Sequence, residues 1–201
     1  MVQTRGQEKY NRLLKAADNL FLNHGIDSTS LAMVASESGV PLGNVYYYFK
    51  SKRELAEAVI EYRRSNALAL LESTDKLKPA QRLQRFIKSF EDTHEYRAAA
   101  GCPIGSLCHE AGKFDTAVAN TATESLRVIL RWLERQFIEF GFDKKNSRSN
   151  ALHMLNVVQG ASLVAQTFSD SGVVKTAAAQ LRAWLQTQLS TECKSDLIRN
   201  P

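Results

Sequence analysis

The spacing of apolar residues constrains the fold of this chain more than any other feature of its sequence. Near the start, Tyr10, Leu13, Ala17 and Phe21 recur at intervals of three and four residues and form one apolar stripe. Later segments repeat this spacing, whereas long alternations of apolar and polar residues and the Asn-Gly and Asp-Gly hairpin signals are missing. We therefore expect an all-α fold.

Composition is that of an ordinary globular chain. Of the 201 residues, 44% are apolar and 23% are charged, which supports a packed core and excludes a wholly disordered chain. No run of about 18 apolar residues occurs and the first twenty residues carry mixed charges, so we expect no membrane span and no secretory signal. The three cysteines form no C-x-x-C pair, which predicts no metal site, no cofactor and a reducing cytoplasm as the setting.

Caps and breakers divide the chain into helices. Thr4 to Gln7 has the form of a capping box, and Gly25 follows the last turn of the helix that it opens. Ala98–Gly112, with three glycines and a proline, is predicted to be irregular. The later helices are predicted over Ser30–Ser38, Leu42–Phe49, Ser51 to about Leu71, Ala80–Arg97, Asp115–Phe140, Ser147–Ser169 and Val173–Leu189.

Two of these helices are short and are joined by Gly39, Val40 and Pro41, which is the geometry of a DNA-binding helix-turn-helix. Steps of about 100° place Val45 and Phe49 on one face of the second helix, with Leu42 beside them. The opposite face carries groups that can approach or bond DNA, namely Gly43, Asn44, Tyr46, Tyr47 and Lys50. The alternative is a helical hairpin whose tyrosines cover an adjoining core.

The string from Gly25 to Lys52, including Gly39-Val-Pro-Leu-Gly-Asn-Val-Tyr-Tyr-Tyr-Phe-Lys-Ser-Lys52, closely resembles the TetR family of bacterial transcriptional regulators. The resemblance covers about the first 55 residues and implies a homodimer that binds a palindromic double-stranded DNA operator and releases it when a small molecule binds. We expect this regulator to be a repressor. It implies contacts to base edges or sugar from Gly43, Tyr46 and Tyr47, and contacts to phosphate from Ser30, Asn44, Tyr48 and Lys52. Many relatives have lysine where this chain has Leu42, which puts one phosphate contact in doubt.

A larger helical domain follows the helix-turn-helix. We expect residues 1–52 to bind DNA, and residues 53–201 to bind an effector and to dimerise. The last two long helices carry apolar stripes, including Leu155 and Leu163 in one and Ala178 and Leu181 in the other. These helices could pair across a two-fold axis as a four-helix bundle, or both stripes could pack inside one subunit.

An effector pocket has to be enclosed by the remaining helices. Because ligand pockets are mostly apolar, we expect an apolar or aromatic effector. Aromatic residues at helical spacing are also common in plain cores, and the sequence does not separate the two roles. The candidate wall residues are Phe86, Phe90, His94, Trp132, Phe137, His153 and Phe168.

The segment Gly101-Cys-Pro-Ile-Gly-Ser-Leu-Cys-His109 leaves three interpretations open. Cys102 or Cys108 could line the pocket and sense an electrophile or oxidant as a thiolate. A Cys–His pair could instead be catalytic, which would make the chain a small all-α thiol enzyme or ligand carrier without DNA binding. Both thiols could also be small buried apolar groups. The resemblance favours a regulator that is not an enzyme.

Overall fold

The computed structural model describes the backbone of residues 5–199 and the side chains of residues 5–192. Every regular element in this part of the chain is an α-helix, as the spacing predicts. The cap predicted at Thr4 and the side chain of Cys193 lie outside the described residues. The helices are α1 Arg5–His24, α2 Leu31–Ser38, α3 Leu42–Tyr48, α4 Lys52–Glu72, α5 Pro79–Asp92, α6 His94–Ala100, α7 Pro103–Phe114, α8 Thr116–Phe140, α9 Lys144–Phe168 and α10 Gly172–Arg199.

These helices form two compact units. The first runs to Ala67 and also includes Pro103–Leu126, and the second consists of Leu68–Cys102 and the residues from Arg127 onward. The core of the first unit joins α1–α4 to α7 through buried side chains such as Phe21, Val45 and Leu107. The predicted boundary between residues 52 and 53 separates functions and remains a prediction. By packing, the first unit also includes α7 and the start of α8.

The prediction of one helix over Ala80–Arg97 is wrong, because the chain breaks at Thr93 into α5 and α6. The Thr93 hydroxyl donates to the carbonyl oxygens of Ser89 and Phe90, at 3.1 and 3.0 Å. A threonine side chain that bonds the preceding turn competes with the backbone for these acceptors and weakens or bends the helix there.

The prediction of an irregular stretch over Ala98–Gly112 is also wrong for most of its length. Only Gly101 and Cys102 separate α6 from α7, and Gly101 has a φ of 73° that favours glycine. Pro103 is the first residue of α7, where a missing N–H is not needed. Buried Leu107 and Ala111 hold the rest of the segment helical in spite of its glycines.

The apolar stripe of α10 packs inside its own unit. Val174, Ala178, Leu181 and Leu185 are all buried there, and α10 packs against α9 and α5. Ala178 therefore does not lie on a surface that a second subunit could contact. α9 divides its apolar residues differently: Leu155 and Val158 are buried, whereas Leu163 and Phe168 are exposed.

Candidate nucleic-acid interface and effector cavity

The joint between α2 and α3 is built from local caps. The Ser30 hydroxyl oxygen accepts a bond from the N–H of Met33 at 3.2 Å and so begins α2. Gly39 ends α2 in the left-handed conformation, with a φ of 62° and a ψ of 26°. Pro41 then directly precedes α3. Caps at both ends fix the angle at which α3 leaves α2.

One face of α3 anchors it to the core of the first unit. Val45 and Phe49 are buried, and the rings of Tyr10 and Phe49 stack with their centroids 5.4 Å apart. The predicted inward face is therefore confirmed for these two residues. Leu42 departs from it, since 40% of its surface is exposed at the first residue of the helix.

The opposite face of α3 is exposed and rich in donors. Tyr47 is 75% exposed and Tyr46 is 49% exposed, and neither hydroxyl has a partner among the described residues. Gly43 is exposed as well, and a Cβ added there would have no neighbouring atom within 4 Å. Lys50 donates to the carbonyl oxygen of Tyr46 at 2.8 Å, which holds its ammonium beside this face. We call Gly43, Tyr46, Tyr47 and Lys50 the α3 face.

Tyr48 and Lys52 are already engaged within the chain. The Tyr48 hydroxyl donates to the carbonyl oxygen of Gly6 at 3.1 Å. Because a phosphate only accepts hydrogen bonds, Tyr48 has to release Gly6 before it can donate to DNA. The Lys52 ammonium donates to the carbonyl oxygen of Asp27 at 2.6 Å and lies 5.0 Å from the centre of the Phe114 ring. The ammonium also lies 3.6 Å from the Asp27 carboxylate, which leaves one of its three N–H donors for a phosphate.

Ser30 and Asn44, the other two residues predicted to contact phosphate, differ in the hydrogen bonds that they already make within the chain. Ser30 uses its oxygen as an acceptor and keeps its O–H donor, which a phosphate can accept. Asn44 is half-buried beside the α3 face, and its amide has no partner among the described side chains. The structure thus presents the predicted contact residues on α2, α3 and the start of α4, and their roles toward DNA remain predictions.

The residues predicted to enclose an effector have different surroundings. Phe90 is buried with the Arg97 guanidinium 4.9 Å from its ring centre. His94 Nδ1 lies 3.1 Å from the carbonyl oxygen of Glu91. His153 is exposed on α9, where its ring centre lies 4.3 Å from that of Trp184. The expectation of a core position for His153 is therefore wrong, because His153 lies on the outward side of α9, and its role in a pocket remains a prediction.

The two cysteines lie at opposite ends of a short segment, and neither forms a disulfide. Cys102 is buried in the second unit, and the side-chain amide of Gln159 donates to its sulfur at 3.3 Å. Cys108 lies in the first unit, where its thiol donates to the carbonyl oxygen of Ala122 at 3.1 Å. A small cleft beside Cys108, also lined by Ile60 and Arg63, has no room for a water molecule. The role of both thiols remains a prediction.

A roomier cavity lies in the second unit. It has a volume of about 100 Å³ and is lined by the end of α4, by α5 and by Trp132 of α8. Of the predicted wall residues, Trp132 and Phe86 line it. Sequence reasoning missed Arg82 and Arg85, because charged residues on an amphipathic helix have the same pattern as a solvated surface.

The described residues give no sign of a metal centre or a membrane span. No group of three or more histidine, cysteine, aspartate or glutamate side chains in this part of the chain is placed to hold a metal ion. None of the helices described is long and apolar enough to cross a membrane.

Comparison with known proteins matches both parts of the chain. Residues 13–59 match the model of the bacterial regulatory proteins of the tetR family, and residues 79–180 match the C-terminal domain of LmrA/YxaF-like transcriptional regulators. The HTH-type transcriptional regulator YxaF of Bacillus subtilis is 25% identical to this chain, over 83% of this chain and 89% of YxaF. The HTH-type transcriptional regulator LmrA of the same organism is 28% identical, over 80% of this chain and 87% of LmrA.

The fold is similar to that of solved structures. The crystal structure of a TetR transcriptional regulator from Legionella pneumophila superposes with a TM-score of 0.78 at 20% sequence identity. The superposition covers 90% of this chain and 97% of that one. The likeness extends through both units.

Proposed function

This chain belongs to the TetR family of bacterial transcriptional regulators and carries the family's helix-turn-helix domain; from that premise we propose that it is a homodimeric repressor of a palindromic operator. A small molecule bound in the second unit releases it from the DNA. The observation that carries the proposal is the α3 face, because Val45 and Phe49 are buried while Gly43, Tyr46, Tyr47 and Lys50 are exposed.

The exposed side of α9 supports the homodimer. Leu163 and Phe168 are 64% and 70% exposed, and Leu152 and Val164 are exposed beside them. A Cβ added to Gly160 would have no neighbour within 4 Å, so a second helix can approach closely there. Exposed apolar patches of this kind mark interaction sites, and a patch that pairs with its own copy gives a two-fold dimer.

Arg63 of α4 supports a mechanical link from α4 and α7 to the DNA-binding helices. Its guanidinium is buried in the first unit, where it bonds the Asp18 carboxylate of α1 and the carbonyl oxygen of Pro103 at the start of α7. A shift of α7 therefore changes the bonds that hold α1. In a dimer whose α3 helices match half-sites about 34–36 Å apart, such a shift is enough to weaken binding.

A binding assay with the DNA upstream of the protein's own gene tests the proposal. Affinity for one palindromic duplex should exceed that for a scrambled duplex, as measured by fluorescence anisotropy. If the complex makes about 6–10 phosphate contacts, affinity should fall roughly 10³–10⁵-fold between about 50 and 200 mM salt. Weak binding with a flat salt response would contradict the proposal and favour the alternative, a thiol enzyme or ligand carrier without DNA binding.

A further inference from the structure

The cavity of the second unit combines an apolar wall with polar groups that have no partner. Leu70 and Leu71 of α4, Phe86 of α5 and Trp132 of α8 supply the wall, and the rings of Phe86 and Trp132 lie 6.2 Å apart. With about 100 Å³, the cavity is somewhat smaller than the roughly 150 Å³ engineered cavity that holds a benzene molecule. The enclosed space therefore suits a short chain or part of one ring, with the rest of the ligand in the open mouth of the cavity.

Two buried donors at this cavity lack an acceptor. Trp132 is only 6% exposed, and its indole Nε1 has no hydrogen-bond partner among the described residues. The same is true of Nε of Arg82, another lining residue. Buried donors are almost always satisfied, so a pair of unsatisfied ones beside a cavity points to a missing acceptor.

The other nitrogens of Arg82 are occupied, which fixes its guanidinium in place. Nη1 donates to Gln136 at 3.0 Å and to Glu139 at 2.9 Å, and Nη2 donates to the carbonyl oxygen of Asp75 at 2.6 Å. Nε is thus the one nitrogen of this guanidinium that has no acceptor among the described residues.

The charge around the cavity favours an anion. Its lining includes Arg82, Arg85 and Lys88; Arg82 pairs with Glu139 and Lys88 with Asp92, so Arg85 supplies the unpaired positive charge. Arg85 has no ion-pair partner among the described residues. A ligand that meets two unsatisfied donors and an excess of positive charge has to bring acceptors and negative charge.

We propose that this cavity binds a small apolar carboxylate, either a monocyclic aromatic acid or a short aliphatic acid. Both donor nitrogens are almost fully covered in the free protein, so the side chains that cover them move slightly on binding. The carboxylate oxygens then accept hydrogen bonds from Trp132 Nε1 and Arg82 Nε, and the ring or chain lies against Leu71 and Phe86. The binding stands on the cavity alone. That the acid also releases the protein from DNA rests on the proposed function, in which this acid would be the effector.

Indole resonances of the ¹⁵N-labelled protein test the binding directly. The chain has two tryptophans, Trp132 and Trp184, so its spectrum should contain two indole N–H peaks, which Trp184→Phe assigns. Benzoate should move the Trp132 peak downfield in a saturable way and leave the Trp184 peak in place. Benzyl alcohol, of similar size but uncharged, should bind at least tenfold more weakly.

Two variants separate the donor and the charge from the fold. Trp132→Phe keeps an aromatic wall and removes the N–H, and we expect it to weaken benzoate binding at least tenfold, as measured by calorimetry. Arg85→Gln changes an exposed residue and should weaken benzoate binding without changing that of benzyl alcohol. An unmoved Trp132 peak, or equal affinity for the acid and the alcohol, would overturn the proposal.

The same acid is then added to the protein–operator complex. Release of wild-type protein but not of Trp132→Phe would support the acid as effector. If benzoate binds and the complex persists, this cavity is not the effector site, and the regulatory part of the proposal is overturned. If no operator is bound at all, the proposed function fails, while the indole spectrum still decides whether the cavity binds the acid.

Discussion

At the scale of single residues, Tyr47 and Lys52 should contribute to DNA binding in different ways. The Tyr47 side chain is exposed on the α3 face, whereas Lys52 is held by the Asp27 carbonyl oxygen at the start of α4. Tyr47→Ala should lose about 1–3 kcal/mol of discrimination between operator and scrambled duplex. Lys52→Ala should weaken both duplexes alike and lower the salt slope by about 1.

Anisotropy titrations of both duplexes at several salt concentrations measure these effects. Tyr46→Phe is a useful reference, because it keeps the ring and removes one hydroxyl from the same face. Equal losses on both duplexes for Tyr47→Ala would mean that this ring does not contact bases.

Two glycines of the helix-turn-helix should respond in opposite ways to the same substitution. Gly43→Ala meets no neighbour within 4 Å and should stabilise α3 by up to about 1 kcal/mol, yet it should weaken operator binding because the helix can no longer approach DNA as closely. Gly39→Ala places a Cβ in the left-handed conformation and should lower the free energy of unfolding by roughly 1–2 kcal/mol.

Urea denaturation and anisotropy, performed on the same two variants, check this prediction. Unchanged operator affinity in Gly43→Ala would place the start of α3 away from the DNA. A stable Gly39→Ala protein would show that the joint does not need its left-handed residue.

Cys102 remains a candidate sensor, and its surroundings define the test. It is buried between Gly101 and Pro103 with the Gln159 amide bonded to its sulfur. If it senses electrophiles, a mild alkylating agent should modify it and release the operator. Cys102→Ser should bind DNA normally and lose that release, because serine keeps the size and lacks the nucleophilicity of a thiolate.

Mass spectrometry identifies the modified residue, and anisotropy measures the release. Cys108→Ser is the matched control, since its thiol already donates to the carbonyl oxygen of Ala122. Full release of Cys102→Ser protein would show that Cys102 is a structural thiol and that the effector binds reversibly.

At the scale of elements, Asp115 links the start of α8 to pH. Its carboxylate accepts bonds from the N–H groups of Val118 and Ala117, at 3.1 and 2.8 Å. The bond from Val118 lowers the pKa of Asp115 below its ordinary value of 3.8, partial burial opposes this, and Ala117 and Arg53 lower it further. The unfolded chain therefore binds this proton more readily than the folded one.

The sign of the pH effect follows from this difference. The contribution of Asp115 to stability should be fully present above the unfolded pKa and should be lost as the pH falls through the lower folded pKa. Asp115→Asn keeps an acceptor and does not titrate, so its free energy of unfolding should approach that of the wild type below about pH 4.

Urea denaturation of wild type and Asp115→Asn from neutral pH to pH 3 measures this convergence. Asp75→Asn, at an exposed aspartate, serves as the control. A difference between Asp115→Asn and wild type that stays constant over this range would contradict the lowered pKa.

The helix ends show which elements the sequence could predict. Ser30 and Gly39 mark the ends of α2 because caps act through bonds to their own neighbours. α7 could not be predicted in the same way. The glycines after Pro103 weaken a helix locally, and burial of Leu107 and Ala111 against other helices compensates for this weakness.

At the scale of the whole molecule, an amphipathic stripe does not reveal what it packs against. The stripe of α10 around Ala178 and Leu181 pairs within its own unit, although the sequence allowed it to face a second subunit. The α3 face was predictable because exposure follows from helix geometry once Val45 and Phe49 are inward. The cavity was not, because it depends on how α4, α5 and α8 meet.

We expect dimerisation to depend on the exposed side of α9. Leu163→Glu should prevent a second α9 from packing there, because the new carboxylate would be buried without a partner. The variant should sediment as a monomer, keep the helical content of the wild type and lose most of its affinity for the palindrome, since one half-site remains. Ile138→Glu, at an apolar residue of α8 that is 47% exposed, is the matched control and should stay dimeric. Sedimentation velocity distinguishes these outcomes, and a dimeric Leu163→Glu protein would move the interface away from α9.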